Sequence, residues 1–316
     1  MMQRPVSNCD VLVAGEYFCD LIFSGLPEAP RLGADIFAES LSVMPGGTYN
    51  MVLALVRLGL SAPWACDFGT DLFSRLVLEQ AERDGIDPML FNRLDRSVQR
   101  VSSAFSRAGE RGFISYSETA VVAPDPVVLE TAQPKWLLQS FRFDPDWLDF
   151  IAAAKARGVK IFGDCRHGDF TLATPGIAEF LGFMDVFSPN EAEALALAGT
   201  GDIEAALLQL AALTPCVVVK RGAAGASVLA RGERFDVPAS AVTVCDTVGA
   251  GDAFNAGFLY GAVRRLPLVD CVQIAVACGA ISTTGPGSSA VATVDVLSAF
   301  LAGNSIPVPM LNKEET

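Results

Sequence analysis

The sequence predicts an α/β fold, with a mostly parallel sheet covered by helices on both faces and a small β-sheet lid set into it. Three observations carry that expectation. Short apolar runs alternate with longer segments of helical periodicity along the chain, the pattern of strands joined by crossover helices. One run, CVVVK at Cys216–Lys220, is apolar without alternation, as in a strand buried on both faces. Two stretches, about 16–44 and 98–118, instead alternate apolar and polar residues and fit antiparallel strands with one solvated face.

The elements follow in order. A first strand is expected at 10–14 (DVLVA), then a helix at 49–58 (YNMVLALVRL) that Gly59 stops. A second helix covers 71–83. Strands at 135–138 and 159–162 flank a helix at 145–157, which ends at Gly158. A strand at 184–188 leads into a helix at Glu191–Ala198. Helices at 251–263 and 268–283 follow CVVVK. In the lid, GER at 109–111 reads as a hairpin turn between two strands. With no internal repeat and no low-complexity linker, residues 1–316 read as one domain.

Composition narrows the function. The 316 residues suffice for one large α/β domain. With 51% apolar and 19% charged residues the chain reads as globular. A net charge of −13 argues against nucleic acid as a partner, yet leaves room for a phosphate ligand held by backbone N–H groups. The eight cysteines show no C-x-x-C spacing and read as buried, reduced thiols of a cytoplasmic protein. No signal peptide is evident, and no apolar run reaches the ~18–20 residues of a membrane span. The closing NKEET reads as a polar tail.

The chemistry concentrates in VCDTVGAGDAFNAGFLYGAV at 244–263. Gly249, Ala250 and Gly251 precede a helix. Small residues there leave N–H groups open at the positive end of the helix dipole, which suits a transferred phosphoryl group. Asp252 in the same turn places a carboxylate where it could take a proton from an attacking hydroxyl. Taken alone, GAGD is also an ordinary capped helix start.

The longer string DTVGAGDAFNAGF resembles the C-terminal signature of the ribokinase-like, or PfkB, carbohydrate kinases. Four further strings agree in family order: VAGEYFCD near the start, MPGGTYNMVLALVRLG at 44–59, SPNEAEA at 188–194 and VVVKRGAAGA at 217–226. The resemblance implies a ribokinase-like three-layer sandwich and an ATP-dependent kinase with Mg²⁺ and a sugar-like acceptor. It implies Asp252 as general base, with Gly249, Ala250 and Gly251 as the anion hole. Asn190 and Glu193 match an Asn-x-x-Glu motif that organises Mg²⁺ largely through water; the same pair also reads as a capping box. Lys220, Gly222 and Gly225 match the turn along the nucleotide phosphates, with Lys220 in place of a more usual Thr. Asp20, Gly46, Gly47 and Asn50 match positions that hold sugar hydroxyls. Asp164 and Arg166 resemble an Asp-x-Asn-x-Arg strand end, from which Cys165 and the missing Asn depart. Asp246 and Val248, with Ser282, Gly285 and Gly287 in the following turn, match a monovalent-cation site, K⁺ in many relatives. His167 reads as a loop residue near the cleft mouth. The lid implies a homodimer, since relatives pair subunits through it.

Rival readings are set by what the string lacks. There is no G-x-x-x-x-G-K-[ST] and no G-x-G-x-x-G after the first strand. Within the kinase reading, the acceptor stays open between a sugar and a nucleoside, for which Phe37 or Phe105 would supply a slot. A non-catalytic sugar- or nucleotide-binding protein of the same fold is the alternative from another class.

Overall fold

The computed structural model describes residues 8–304 other than 108, 109, 167, 286 and 288, and also residue 306. His167 and the NKEET tail lie outside the described residues. The described strands are β1 (Val11–Ala14), β2 (Tyr17–Ser24), β3 (Ser40–Gly47), β4 (Trp64–Phe68), β5 (Phe91–Arg93), β6 (Arg100–Arg107), β7 (Glu110–Ser117), β8 (Trp136–Gln139), β9 (Lys160–Asp164), β10 (Val186–Ser188), β11 (Cys216–Lys220), β12 (Ala226–Ala230) and β13 (Glu233–Val237).

The main sheet runs β13-β12-β11-β10-β9-β8-β1-β4-β5. It is parallel from β5 to β11 and ends in the antiparallel pairs β11–β12 and β12–β13. Strand periodicity divides the core in two. Val11, Val13, Leu138 and Val218 face one apolar cluster, together with the helices Thr48–Arg57, Ala250–Val263 and Leu268–Ser282. Leu12, Ala14, Leu137, Val217 and Val219 face the other, together with Pro145–Ala156, Ile177–Phe183, Glu191–Ala198 and Ile203–Ala211. Two helical layers thus enclose the sheet, and the fully apolar central strands are explained by burial on both faces.

The second sheet runs β3-β2-β6-β7. It grows from the end of β1, because β2 begins three residues after Ala14. Tyr17, Cys19 and Ala104 are buried in this sheet, while Leu41, Val43, Phe113, Ile114 and Tyr116 are exposed.

Several expectations need correction. The lid is not wholly antiparallel, since β2 and β6 run parallel; the chain passes through β3, β4 and β5 before returning to β2's other side. Glu110 and Arg111 of the GER string lie in β7, and Arg107 pairs with Glu110; Gly109 lies outside the described residues. Val186, not residue 184, begins β10, because Met184 closes the preceding helix. The helix of the GAGD segment begins at Ala250, one residue earlier than expected. Cys245 is exposed, unlike the other seven cysteines. No single helix among the described residues is long and apolar enough to cross a membrane.

Candidate active site

The helix Ala250–Val263 starts at Gly249, whose φ of 74° is left-handed, and no side chain caps it. The Ala250 N–H reaches Thr247 O and the Ala253 N–H reaches Gly249 O. Between them, the N–H groups of Gly251 and Asp252 have no acceptor among the described residues. Asp252 therefore does not act as a cap; its carboxylate shares a turn with two open donors.

Four elements converge on that carboxylate. Burial pushes Asp252 up to about 7, and the negative charge of Asp164 adds to the effect. The Lys220 ammonium and a hydrogen bond from the Asn50 side chain pull the other way. Asp164 is the last residue of β9, Lys220 the last of β11, and Asn50 lies in the first turn of Thr48–Arg57. All reach the carboxyl edge of the parallel strands, where open α/β sheets bind ligands.

A cleft of about 730 Å³ opens beside this turn. It brings together Gly249, Ala250, Gly251, Asp252, Asn190, Glu193, Lys220, Gly222 and Gly225, every predicted catalytic, nucleotide-side and Mg²⁺-side residue, and with them Asp164, expected on the acceptor side. Asn190 and Glu193 form the expected capping box: the Glu193 N–H donates to Asn190 Oδ1 at 2.9 Å, and the Asn190 N–H donates to Glu193 Oε2 at 2.8 Å. Gly225 has φ +86°, and a Cβ there would sit 2.0 Å from Val237 O, so only glycine lets the end of β13 lie against this turn. Lys220 lines the cleft as well. Its Nζ donates to Asp164 Oδ1 at 2.8 Å and to Asn255 Oδ1 at 3.3 Å. The far wall is apolar, with Val242, Val244, Phe254 and Val276.

On the acceptor side, Asp20 projects from β2 over Gly46 of β3. Burial pushes Asp20 up to about 6. A Cβ on Gly46 would lie 2.1 Å from Asp20 Oδ2, so the carboxylate occupies space that any other residue would fill. Gly47 is the N-terminal cap of Thr48–Arg57 and leads directly to Asn50. Arg166 stands apart: it is exposed, its Nε donates to Phe141 O at 3.2 Å, and its guanidinium lies over the Phe170 ring. Phe105 packs against Gly112 within the lid and Phe37 is exposed.

The residues expected at a monovalent cation lie in two adjoining turns. The Val248 and Gly287 N–H groups each donate to the Asp246 carboxylate at 2.8 Å. Asp246 N–H and Cys245 N–H both donate to Thr283 O. Ser282 is buried, with its hydroxyl donating to Gly279 O, and Gly285 lies beside Ser289 and Ala290.

Sequence reasoning passed over Asn255 and the ion pair of Glu16 with Arg142. Asn255 is fully buried, and its Nδ2 donates to Asp164 Oδ1 at 2.7 Å. The available signal was a lone polar residue three positions after Asp252 in an apolar helix face. Glu16 and Arg142 join the ends of β1 and β8, which no local pattern could pair.

The model of the pfkB family of carbohydrate kinases matches residues 33–294. A ribokinase from Haemophilus influenzae is 24% identical over 291 residues, covering 87% of this chain and 92% of that protein. A fructokinase from Klebsiella pneumoniae is 28% identical over 277 residues, covering 77% and 87%. Arabidopsis thaliana ribokinase complexed with ribose and ATP superposes with a TM-score of 0.81 at 20% identity, covering 93% of this chain and 99% of that one. A fructokinase double mutant from Vibrio cholerae O395, bound to fructose, ADP and potassium ion, superposes with a TM-score of 0.78 at 26% identity, covering 94% and 100%.

Proposed function

The chain belongs to the pfkB family of carbohydrate kinases, and from that premise we propose that it transfers the γ-phosphate of ATP to a hydroxyl of a sugar or sugar-like small molecule. The observation that carries the reading is a single turn holding both the Asp252 carboxylate and the two open N–H groups of Gly251 and Asp252. Transfer to an alcohol needs a base for its proton and donors for the charge on the moving phosphoryl group. Asp252 takes the proton. A carboxyl raised toward neutrality is a better base than an ordinary one, and it is ionised once pH exceeds its raised value. Asn50 orients it, and the Gly249–Gly251 segment receives the phosphoryl oxygens. Gly222 and Gly225 let the backbone approach the nucleotide phosphates, and the apolar wall at Val242 and Val244 takes the base.

Asn190 and Glu193 offer oxygen donors on the cleft wall, which suit a hard divalent cation that keeps most of its waters. Mg²⁺ bound there with the nucleotide would offset phosphate charge. Potassium, present in the Vibrio cholerae fructokinase, would be held by the Asp246–Val248 and Ser282–Gly287 turns, where Asp246 already links the two. Asp20, Gly46, Gly47 and Asn50 would bind acceptor hydroxyls. A sugar is favoured over a nucleoside because the relatives that match over most of the chain are a ribokinase and a fructokinase. The exposed apolar face of the lid suits a homodimer.

The test is a screen of the purified protein with ATP, Mg²⁺ and a panel of sugars, sugar acids and nucleosides, read as ADP release. At least one sugar-like acceptor is expected to be phosphorylated, and Asp252→Asn to lower kcat by ~10²–10⁴-fold while still binding ATP. Near-normal turnover by that variant overturns the assignment. Tight sugar binding without any ADP release would favour a non-catalytic binding protein.

A further inference from the structure

The floor of the cleft holds a buried polar cluster that phosphate binding alone does not explain. Asp164 Oδ1 accepts hydrogen bonds from both Lys220 Nζ and Asn255 Nδ2, and Lys220 Nζ also donates to Asn255 Oδ1. The three side chains close a ring of hydrogen bonds. The Asp164 and Lys220 side chains are each 14% exposed and Asn255 is fully buried. An ammonium has three donors. Two are used in the ring, and the third has no acceptor among the described residues. The nitrogen lies 3.7 Å from where a Cβ on Gly251 would be, so a positive charge stands directly beside the turn that carries Asp252. A buried ion pair adds little net stability over a well-packed apolar pair, which leaves its placement to be explained by what it does to its neighbours.

We propose that Lys220 and Asp164 are positioning residues of opposite sign for the Asp252 turn: Lys220 favours the ionised base and draws negative charge to Gly251, Asp164 offsets it, and Asn255 fixes both. This rests on Asp252 being the base. The charged groups facing that turn are Asp164 from β9 and Lys220 from β11; Glu193, from Glu191–Ala198, acts on Lys220. Asn50, from Thr48–Arg57, is the neutral partner. Lys220 itself stays protonated, its pKa being raised by Asp164 against the opposing effect of burial. The sign of each effect follows. Removing the cation leaves two carboxylates in one site, and Asp252 then ionises only at higher pH. Removing the Asp164 charge lets Lys220 act on Asp252 alone, and Asp252 ionises at lower pH.

The test is the pH dependence of kcat/KM for the phosphorylated acceptor at saturating MgATP. For the wild type, activity falls on the acid side as Asp252 takes up a proton. Lys220→Met is expected to move that limb to higher pH by about one unit, and Asp164→Asn to lower pH by about the same. The double variant returns toward the wild-type limb, and Lys220→Arg, which keeps the charge, leaves it in place whatever happens to the rate. A purely structural ring would lower rates without moving the limbs in opposite directions. Limbs that stay fixed, or that move together, overturn the proposal. If Lys220→Met does not fold, Asp164→Asn must still move the limb down and Lys220→Arg must still hold it; failure of either overturns it equally. The two readings fail separately. Near-normal turnover by Asp252→Asn removes the base and the proposal with it, whereas an inactive Asp252→Asn with unmoved limbs removes only the proposal.

Discussion

Asp252 binds a proton more tightly in the native protein, where it is pushed up to about 7, than at its ordinary carboxylate value of 3.8. A group raised on folding costs stability as pH rises from its ordinary value to its native one, because the unfolded chain gives up the proton there while the native state still holds it, and the full cost stands above the native value. Asp252→Asn removes that cost. The variant is expected to be more stable than the wild type at pH 8, by roughly 1–2 kcal/mol in urea or thermal unfolding. The difference should narrow at pH 5, where the native Asp252 is already protonated. A variant less stable at pH 8 would mean that the carboxylate is better satisfied than its surroundings indicate. Asp20 is raised for a simpler reason, burial alone. Asp20→Asn is expected to raise KM for the acceptor while leaving kcat within a few-fold, since it would bind hydroxyls without taking part in proton transfer. An unchanged KM would take Asp20 out of the acceptor site.

At the scale of elements, the site depends on where strands and helices stop. Asn190 ends the approach to Glu191–Ala198 as its cap and also lines the cleft. Asn190→Ala is expected to cost about 1 kcal/mol of stability through the lost cap and to raise KM for MgATP. A stability loss with unchanged KM would reduce the residue to capping. The turn after β11 is more demanding. With φ +86° and Val237 O 2.0 Å from a prospective Cβ, Gly225→Ala is expected to destabilise by roughly 2 kcal/mol or more and to weaken nucleotide binding along with it. Thermal unfolding with and without ATP separates the two effects.

At the scale of the molecule, the parallel sheet collects the ends of β9, β10 and β11 around one helix start, and the lid projects from the end of β1 beside it. One face of the lid carries Leu41, Val43, Ile114 and Tyr116 in exposed positions. If these pair two subunits, Leu41→Glu with Ile114→Glu is expected to turn a dimer into a monomer in analytical ultracentrifugation, with the fold retained. A wild-type protein that sediments as a monomer would exclude the pairing.

The residues proposed to carry the chemistry were legible in the chain because their signals are local: glycines before a helix, a carboxylate in its first turn, and Asn and Glu three apart. The parallel core was legible because burial on both faces leaves an unbroken apolar run. Strands β4, β5, β12 and β13 were passed over, being short or part polar, and their place is set by neighbours distant in sequence. The parallel pairing of β2 with β6 was likewise hidden, because chain order says nothing of which edge a returning strand takes. Lys220 shows the division most sharply. Its spacing placed it at the nucleotide turn, and it does line the cleft, but the partners of its ammonium come from β9 and from Ala250–Val263, 56 and 35 residues away. Sequence by itself determined which groups stand at the ends of strands and the starts of helices. Only the tertiary structure decided which of them share a buried space, and there mutual electrostatics, not residue type, sets what each does.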